Sequence, residues 1–363
     1  MAERLPAPPR ARRGLVAGGV LGAVAVGVAA GLAVERRVVG RPRRRPDPNA
    51  REPFGRLAGR ERTVRATDGV PLHVEEVGSG PLTVVFSHGF ALSLAAWHYQ
   101  RRDLADVGRL VFYDHRSHGQ SGRASRDSCT VEQLGRDLAT VIDAVAPTGP
   151  VALVGHSLGG MTIMSLARQR PELFGSRVVG VALVGTSAGG VGETLVRLPV
   201  RLMGLLTGRV LPHAVRLAER NAQFVERTRA VGSDLAFVIT RGRGFGPHAS
   251  PSQVEFVERM IAATPIEVIT AFTPSIVAHA EYEALGTIAR VPTFVLAGDH
   301  DRVTPVEHSR EIAARIPGAD LVVLAGAGHC VMLERAPLVN LHLRAFLRRV
   351  AHGRRTTSAS RLA

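Results

Sequence analysis

A serine flanked by glycines is the residue of this chain best suited to covalent chemistry. Residues 155–160 read Gly-His-Ser-Leu-Gly-Gly; they follow the apolar run Val151–Val154 and precede an apolar helical segment from Met161. A strand, a sharp turn and a helix, with Ser157 at the tip, is the arrangement that presents a hydroxyl as a nucleophile. The helix start behind the turn favours developing negative charge. The segment therefore predicts a nucleophilic serine.

A serine nucleophile needs a base that takes its proton and an acid that orients the base. The predicted base is His329, in a glycine-rich stretch that follows the strand pattern of Leu321–Leu324. Two carboxylates, Asp299 and Asp301, follow the strand pattern of Thr293–Ala297. Serine, acid and histidine then occur in this order along the chain, each directly after a strand pattern. The residues alone leave the choice between the two aspartates open.

Ester or amide cleavage through a serine also needs two N–H donors for the oxyanion. The backbone N–H of Leu158, directly after the nucleophile, is the first predicted donor. The second is the backbone N–H of Phe90, in the loop after the apolar strand Leu82–Ser87. Gly89 in that loop lets the backbone approach the reacting carbonyl closely. The expected site is therefore Ser157 with these two donors.

Composition excludes several other chemistries. The chain contains 46 arginines and no lysine. A phosphate-binding-loop lysine and a Schiff-base lysine are thus excluded. The two cysteines, Cys129 and Cys330, are too few for a disulfide framework or a zinc site. We expect no cofactor and no metal.

Strand and helix patterns alternate over residues 63–350 and predict an α/β fold. The apolar strands indicate a mostly parallel sheet with helices on both faces. Asp68-Gly69 separates the strand patterns Thr63–Ala66 and Pro71–Val77 and predicts a hairpin at the start of this domain. A helix is expected over Val131–Val145, with apolar side chains on one face. Residues 188–285 are helical in pattern and predict a lid over the carboxyl edge of the sheet.

The net charge of +15 is confined to the two ends of the chain. Residues 1–65 contain 15 arginines and 5 acidic residues, and residues 336–363 contain 6 arginines and no acidic residue. The part between them has a net charge of −1. A nearly neutral body argues against nucleic acid as a partner. Basic ends suit an anionic lipid surface, and solvated tails are the alternative.

Gly14–Val34 is a stretch of 21 residues without a charge. As a helix it would be about 31 Å long, close to the thickness of a membrane core. It predicts a membrane anchor; a cleaved export signal and a non-inserting arm are the alternatives. Four arginines precede the stretch within residues 1–13, and seven follow within residues 35–51. That bias favours a cytoplasmic catalytic domain.

Three segments follow from these patterns. Residues 1–62 are a basic arm that holds the anchor and an extended Arg/Pro-rich linker over residues 38–62. Residues 63–350 are the catalytic domain, and residues 351–363 are a basic tail. The sequence does not indicate an oligomeric state.

The chain resembles the α/β-hydrolase fold superfamily, in particular its lid-bearing esterases, lipases and cofactor-free haloperoxidase-like enzymes. The resemblance covers residues 63–350. Its motifs are Ser87-His88-Gly89-Phe90, Asp114 to Gly122 (Asp-His-Arg-Ser-His-Gly-Gln-Ser-Gly), Gly155 to Gly160, Gly298 to Pro305, and Gly328-His329.

The resemblance implies a triad of Ser157, Asp301 and His329. Some relatives place the acid after the strand that corresponds to Val178–Val184, but Gly185-Thr186-Ser187 offers no carboxylate there. Relatives often have glycine where this chain has Ser117, in a stretch that is structural.

Four further histidines, in loops that converge on the same sheet edge, could suggest a metal cluster. The resemblance implies a supporting structural role for them instead. They are His88, His115, His118 and His156.

The expected function is hydrolysis of a carboxylic ester through an acyl-enzyme, with a small-molecule or lipid-like substrate. Acyl transfer or perhydrolysis with the same triad is the alternative. A hydrolase-like binding protein without catalysis is a third hypothesis.

Overall fold

An eight-stranded sheet forms the centre of the protein. The computed structural model describes residues 46–192 and 240–359, with side chains as far as residue 352. The strands are β1 Arg60–Arg65, β2 Pro71–Val77, β3 Thr83–Ser87, β4 Arg109–Tyr113, β5 Val151–His156, β6 Val178–Val184, β7 Thr293–Gly298 and β8 Asp320–Leu324.

The strand order is β1-β2-β4-β3-β5-β6-β7-β8. Strand β2 is antiparallel to both of its neighbours, and every other neighbouring pair is parallel. The predicted hairpin is formed by β1 and β2, and its first strand begins at Arg60 rather than at Thr63. The mostly parallel α/β sheet expected from the sequence is therefore confirmed.

Helices connect the parallel strands and cover both faces of the sheet. The described α-helices are α1 His98–Asp103, α2 Val131–Val145, α3 Leu158–Gln169, α4 Pro251–Ala263, α5 Ile266–Val277, α6 Ala284–Ile288, α7 Val306–Arg315, α8 Val331–Glu334 and α9 Ala336–Ala359. Helix α2 has the predicted bounds because Thr130 caps it by accepting a hydrogen bond from the Gln133 N–H at 3.1 Å.

Two apolar clusters, one on each face of the sheet, form the core. Val84 and Phe86 of β3 belong to one cluster, with Trp97 and Phe346, and Val85 belongs to the other. Successive side chains of a strand point to opposite faces, so a strand covered on both faces is apolar throughout. This burial explains why the central strands were recognisable as continuous apolar runs.

The predicted lid is described over residues 188–192 and 240–285, and the second range contains helices α4 and α5. Residues 193–239 lie outside the described residues. Ser250 and Gln253 form a reciprocal cap at the start of α4, with Pro251 at its first position. We name residues 240–285 the cap.

No single described helix is both long enough and apolar enough to cross a membrane. Helices α4 and α5 reach that length and composition only as a pair, bent by 95° at their junction. The predicted anchor, Gly14–Val34, lies outside the described residues, so the membrane-anchor prediction stays a prediction.

The segment over residues 46–59, which we name the N-terminal strap, packs against the cap and the core. The sequence predicted this segment as part of an extended linker. Instead, the Asp47 carboxylate accepts hydrogen bonds from the N–H and the hydroxyl of Ser252 in α4, at 2.9 and 3.0 Å. Asn49 donates to the Ser250 hydroxyl at 3.0 Å and accepts from the Tyr99 hydroxyl at 3.0 Å.

Apolar and charged contacts complete the attachment of the strap. The ring of Phe54 stacks on Phe256 of α4, with centroids 4.8 Å apart and planes at 21°. The same ring meets His98 of α1 at 4.9 Å. Glu52 accepts a hydrogen bond from His98 at 2.9 Å and pairs with Arg102 at 2.8 Å. The strap therefore joins α4 of the cap to α1 of the core.

The C-terminal helix extends beyond the predicted end of the domain. The domain was predicted to end at residue 350, but helix α9 continues to Ala359 and so includes most of the predicted basic tail. Arg344 and Arg348 of this helix pair with Asp106, which lies in the loop after α1.

Candidate active site

Ser157 lies at the sharp turn between β5 and α3. Its backbone has φ 52° and ψ −116°, a conformation that non-glycine residues rarely adopt. Such strain is typical of a serine lifted above the sheet by a strand-to-helix turn. Two hydrogen bonds to the end of β6 and the loop after it fix the turn. The Ser157 N–H donates to the Val184 carbonyl at 3.0 Å, and the Thr186 hydroxyl donates to the Ser157 carbonyl at 2.7 Å.

The glycines of the turn are required by close backbone contacts. A β-carbon on Gly155 would lie 2.5 Å from the Gly159 carbonyl oxygen. A β-carbon on Gly159 would lie 2.0 Å from the Ser87 carbonyl oxygen at the end of β3. Both distances are far below van der Waals contact, so the turn and β3 can approach only where side chains are absent.

His329 and Asp301 form a buried hydrogen-bonded pair. The distance between His329 Nδ1 and Asp301 Oδ2 is 2.8 Å, and both residues are buried. Asp301 also accepts hydrogen bonds from the N–H groups of Val303 and Thr304, at 2.8 and 2.9 Å, and from the Thr304 hydroxyl at 2.9 Å. The structure thus pairs the histidine with the aspartate that the resemblance favoured.

The environment keeps Asp301 ionised. Burial by itself raises the pKa of a carboxyl, but His329 and the N–H donors of Thr304 and Val303 outweigh it and lower the pKa of Asp301 below its ordinary value. An ionised Asp301 accepts the proton on His329 Nδ1. The imidazole therefore has its other nitrogen, Nε2, free to act as a base.

Asp299 has different partners. Its carboxylate accepts from the Gly326 N–H at 2.7 Å and lies 2.6 Å from His300 Nδ1, at the exposed surface. It has no bond to His329 in the described structure. Asp299 shapes the loop and leaves Asp301 as the partner of the histidine.

One side chain joins the serine turn to the loop after β8 that contains His329, which we name the histidine loop. His156, directly before Ser157, donates from Nε2 to the His329 carbonyl at 2.9 Å, and the two imidazole centroids are 4.7 Å apart. Gly185 at the end of β6 lies beside the pair, because its hypothetical β-carbon would be 3.4 Å from Asp301 Oδ2. At the carboxyl edge of the sheet, the residue before Ser157 thus contacts the loop that holds His329, and His329 in turn is bonded to Asp301.

Phe90 and Leu158 are the two residues whose N–H groups were predicted to bind the oxyanion. Leu158 is the first residue of α3, and Phe90 lies in the loop after β3. Within residues 46–192 and 240–359, neither backbone N–H donates to a protein acceptor. The loop is strained at Ala91, with φ 56°, and Gly89 lies against the ring of His156. Two unpaired N–H groups beside a serine turn can hold an oxyanion.

The remaining histidines of this edge are buried and neutral. Burial lowers the pKa of His115 and of His156 to about 3, that of His118 to about 4, and that of His88 well below its ordinary value.

Their hydrogen bonds fix backbone. His88 Nδ1 lies 2.8 Å from the Gly89 carbonyl, and His88 Nε2 accepts from the His115 N–H at 3.0 Å. His115 Nε2 donates to the His88 carbonyl at 3.0 Å. These contacts tie the Phe90 loop to the loop after β4.

The group of described residues that could hold a metal ion lies elsewhere. Glu61, His73 and Glu75 on the β1–β2 hairpin have ligand atoms within 4.8 Å of one another. Glu75 is already paired with Arg101 and accepts from the Gly59 N–H at 2.7 Å. The predicted site residues do not include any of these.

An apolar cluster lies beside the serine turn. It unites residues around Leu158 with the inner face of α5; its buried members are Cys129, Val131, Leu134, Leu158, Met161, Val191, Val268, Phe272 and Ile276, and Phe90 packs against them. A cavity of about 320 Å³ between α5 and residues 117–129 shares Cys129 and Val268 with the cluster. Phe90 and Leu158 therefore border an apolar region shared by the core and the cap.

Two supporting residues were missed by the sequence analysis. Thr304 bonds Asp301 and lies 3.3 Å from His329 Nδ1. Glu334 accepts a hydrogen bond from the Gly328 N–H, directly before His329. Thr304 lies inside a recognised motif but carries no chemical signal of its own. Glu334 follows the histidine by five residues, and its contact depends on the turn of α8.

The chain is similar in sequence to several bacterial proteins. Over 278 residues the chain is 26% identical to the dihydrolipoyllysine-residue acetyltransferase component of the acetoin cleaving system of Pseudomonas putida, a match that covers 75% of this chain and 65% of that protein. It is 26% identical over 283 residues to a 2-hydroxy-6-oxononadienedioate/2-hydroxy-6-oxononatrienedioate hydrolase of Paraburkholderia xenovorans, covering 76% of this chain and 91% of that one.

A solved structure extends the comparison to the fold. The thermophilic esterase from Thermogutta terrifontis superposes with a TM-score of 0.63 at 26% identity, over 80% of this chain and 99% of the esterase. The sequence model of the alpha/beta hydrolase fold family matches residues 83–336, more than half of the chain. With the serine turn, the sheet order and the histidine loop in place, the chain belongs to the alpha/beta hydrolase fold family.

Proposed function

We propose that the chain is a serine hydrolase that cleaves a carboxylic ester through an acyl-enzyme. The observation that carries the proposal is the buried pair of His329 and Asp301 beside the strained turn of Ser157. A histidine oriented by an ionised carboxylate can remove the proton of a serine hydroxyl at neutral pH. The named hydrolase and esterase relatives support this class of reaction.

The proposed mechanism follows from the geometry. His329 Nε2 takes the hydroxyl proton as Ser157 Oγ attacks the ester carbonyl carbon. Asp301 stabilises the imidazolium through the Nδ1 proton, and the N–H groups of Phe90 and Leu158 hold the oxyanion. Collapse of the tetrahedral intermediate breaks the C–O bond, and His329 protonates the leaving alcohol. A water molecule, deprotonated by His329, then hydrolyses the acyl-enzyme.

The acyl group of the substrate is proposed to be apolar. The oxyanion residues Phe90 and Leu158 border the apolar cluster, to which α5 contributes Val268, Phe272 and Ile276. Apolar walls with a few polar groups at the reacting centre are typical of small-molecule sites. A lipid-like ester fits this description, and esters of graded acyl length would measure the preference.

Replacement of the nucleophile tests the proposal. Ser157→Ala should lower kcat by about 10⁴ to 10⁶ and abolish labelling by a fluorophosphonate probe, because both need the same hydroxyl. Ser125→Ala, which removes an exposed serine, is the control and should leave both unchanged. Esterase activity of Ser157→Ala near that of the unchanged protein would disprove the proposal.

The same triad could pass the acyl group to an acceptor other than water. Acyl transfer and perhydrolysis are measured by product ratios with water, alcohols and peroxide as competing acceptors. A dominant non-hydrolytic product would replace hydrolysis as the function. Failure of a folded protein to react with the fluorophosphonate probe would indicate a binding protein without catalysis.

Attachment to a membrane through Gly14–Val34 is a separate proposal, with the catalytic domain on the cytoplasmic side. It is supported by the 21 uncharged residues and by the arginines that flank them. Carbonate-resistant sedimentation of the full chain with membranes, and release of a chain that starts at residue 46, are the expected results. Recovery of the full chain in the soluble fraction would contradict it.

A further inference from the structure

Glu334 connects two backbone segments on either side of its carboxylate. One oxygen, Oε1, accepts from the Gly328 N–H at 2.7 Å, and the other, Oε2, accepts from the Gly246 N–H at 2.7 Å. Gly328 directly precedes His329. Gly246 lies in the cap, in the segment that leads into α4. A single side chain therefore forms hydrogen bonds to both the histidine loop and the cap.

Backbone contacts around the same point leave no free space. The Cys330 N–H donates to the Gly244 carbonyl at 2.8 Å. A β-carbon on Gly328 would lie 2.5 Å from the carbonyl carbon of Phe245, and one on Gly246 would lie 2.3 Å from the Gly326 carbonyl oxygen. The backbones of the histidine loop and of residues 244–246 are thus in direct contact, and they can approach this closely because Gly328 and Gly246 have no side chains.

The carboxylate is the group that makes both contacts possible. A carboxylate has two acceptor oxygens and no donor, so it satisfies two N–H groups at once. An amide of the same shape presents one acceptor and one NH₂ group, which cannot accept from the second glycine. Burial raises the pKa of Glu334 to about 7, while the Gly246 and Gly328 N–H groups favour the ionised form, so the carboxylate that accepts from both prevails above pH 7.

We propose that Glu334 is a positioning residue for His329: its carboxylate locks the histidine loop to residues 244–246, so that the cap sets the position of the catalytic base. This inference rests on the proposed function of His329. Glu334 itself touches neither Asp301 nor the imidazole ring in the described structure, and it acts through the backbone of Gly328. Displacement of a catalytic group by about 1 Å can cost about 100-fold in rate.

Glu334→Gln is the direct test, because it keeps the volume and removes one of the two contacts. With a short soluble ester, we expect kcat to fall about 10- to 100-fold, while KM changes by less than about threefold. The matched control is Glu76→Gln on β2. It removes another buried carboxylate, which pairs with Arg60 of β1 at 2.6 Å. The control should lower the melting temperature without lowering kcat.

Glu334→Asp serves if the glutamine variant does not fold. Its carboxylate keeps its charge but is shorter by one methylene group and cannot reach both glycines. It should give an intermediate loss of kcat. A folded Glu334→Gln or Glu334→Asp protein with kcat within twofold of the unchanged protein would overturn the proposal.

A second measurement does not depend on substrate turnover. The proton shared by His329 Nδ1 and Asp301 should give a strongly deshielded NMR signal in the unchanged protein and in Glu76→Gln. We expect this signal to broaden or disappear in Glu334→Gln, because the loop is no longer fixed. An unchanged signal would contradict the proposal. Absence of esterase activity in a wild-type protein that keeps the signal would instead refute the proposed function alone.

Discussion

The two aspartates between β7 and α7 lie two residues apart and face different partners. Asp301 is buried against His329, whereas Asp299 lies at the surface beside His300 and Gly326. The residues alone left the choice between the two aspartates open, and the family resemblance favoured Asp301. The reason for the difference is visible only in the fold, because the hydrogen bonds of Val303 and Thr304 turn the Asp301 carboxylate towards the histidine.

These contacts predict a large difference between two similar substitutions. Asp301→Asn should lower kcat by about 10⁴, because an amide opposite Nδ1 no longer orients the imidazole or stabilises its charge. Asp299→Asn should leave kcat within about threefold. Steady-state kinetics on a soluble ester measures both. Equal losses in the two variants would show that Asp301 is not the acid of the triad.

The supporting residues could not be predicted with the same ease. Ser157, Asp301 and His329 lie in motifs, and their chemistry is that of their side chains. Glu334 and Thr304 act on backbone or on another side chain, so their residue types carry no specific signal. Their roles depend on which segments the fold brings together.

The elements of the sheet were predicted well where both faces are buried. Strand β6 and helix α2 have the predicted bounds, and β3, β5 and β7 differ by one or two residues at an end. Continuous apolar runs identify such strands because no residue of the run faces water. The exposed hairpin was less accurate: β1 starts three residues earlier than predicted, in a stretch where most side chains are exposed.

The close contacts of the glycines in the serine turn predict that adding one methyl group there strongly lowers stability. Gly159→Ala places a β-carbon 2.0 Å from the Ser87 carbonyl oxygen, so β3 and α3 must separate. We expect a loss of about 3 kcal/mol or more in the free energy of unfolding, or insoluble protein, from a clash that backbone must absorb. Chemical denaturation measures the loss.

Gly286→Ala is the matched control in helix α6. Its β-carbon would meet no atom within 4 Å, and the residue is exposed. Alanine is favoured over glycine in a helix, so this variant should gain about 0.5 to 1 kcal/mol. A similar stability of the two alanine variants would contradict the explanation of the turn.

At the scale of the whole molecule, the N-terminal strap is the main feature that the sequence did not reveal. An Arg/Pro-rich composition indicates an extended chain, and residues 46–59 are indeed without helix or strand. Composition does not show that a few side chains of such a segment dock. The segment is attached to α4 and α1 by Asp47, Asn49 and Phe54. Its partners in α4 lie about 200 residues further along the chain.

Two truncations test the strap. A chain that starts at residue 46 loses the basic arm but keeps every described contact, so its melting temperature should equal that of the full chain. A chain that starts at residue 60 loses Asp47, Asn49 and Phe54, and it should unfold several degrees lower and show faster amide exchange in α4. Thermal unfolding and hydrogen exchange measure these effects. Equal stability of the two truncations would contradict the docking of the strap.

Phe54→Ala is the point variant for the same contact. It removes the ring that stacks on Phe256 and meets His98, and it should cost about 1 to 3 kcal/mol because the ring is partly rather than fully buried.

The strap also determines where a pull on the front of the chain is felt. Among the described residues that precede the sheet, the first attachment is to the start of α4, at Ser250 and Ser252. A mechanical load applied upstream, by an anchor, a fusion partner or a surface tether, therefore reaches the cap before it reaches β1. If this protein is immobilised through its N-terminal side, the load falls on the cap, whereas a tag at the C-terminal end leaves the cap unloaded.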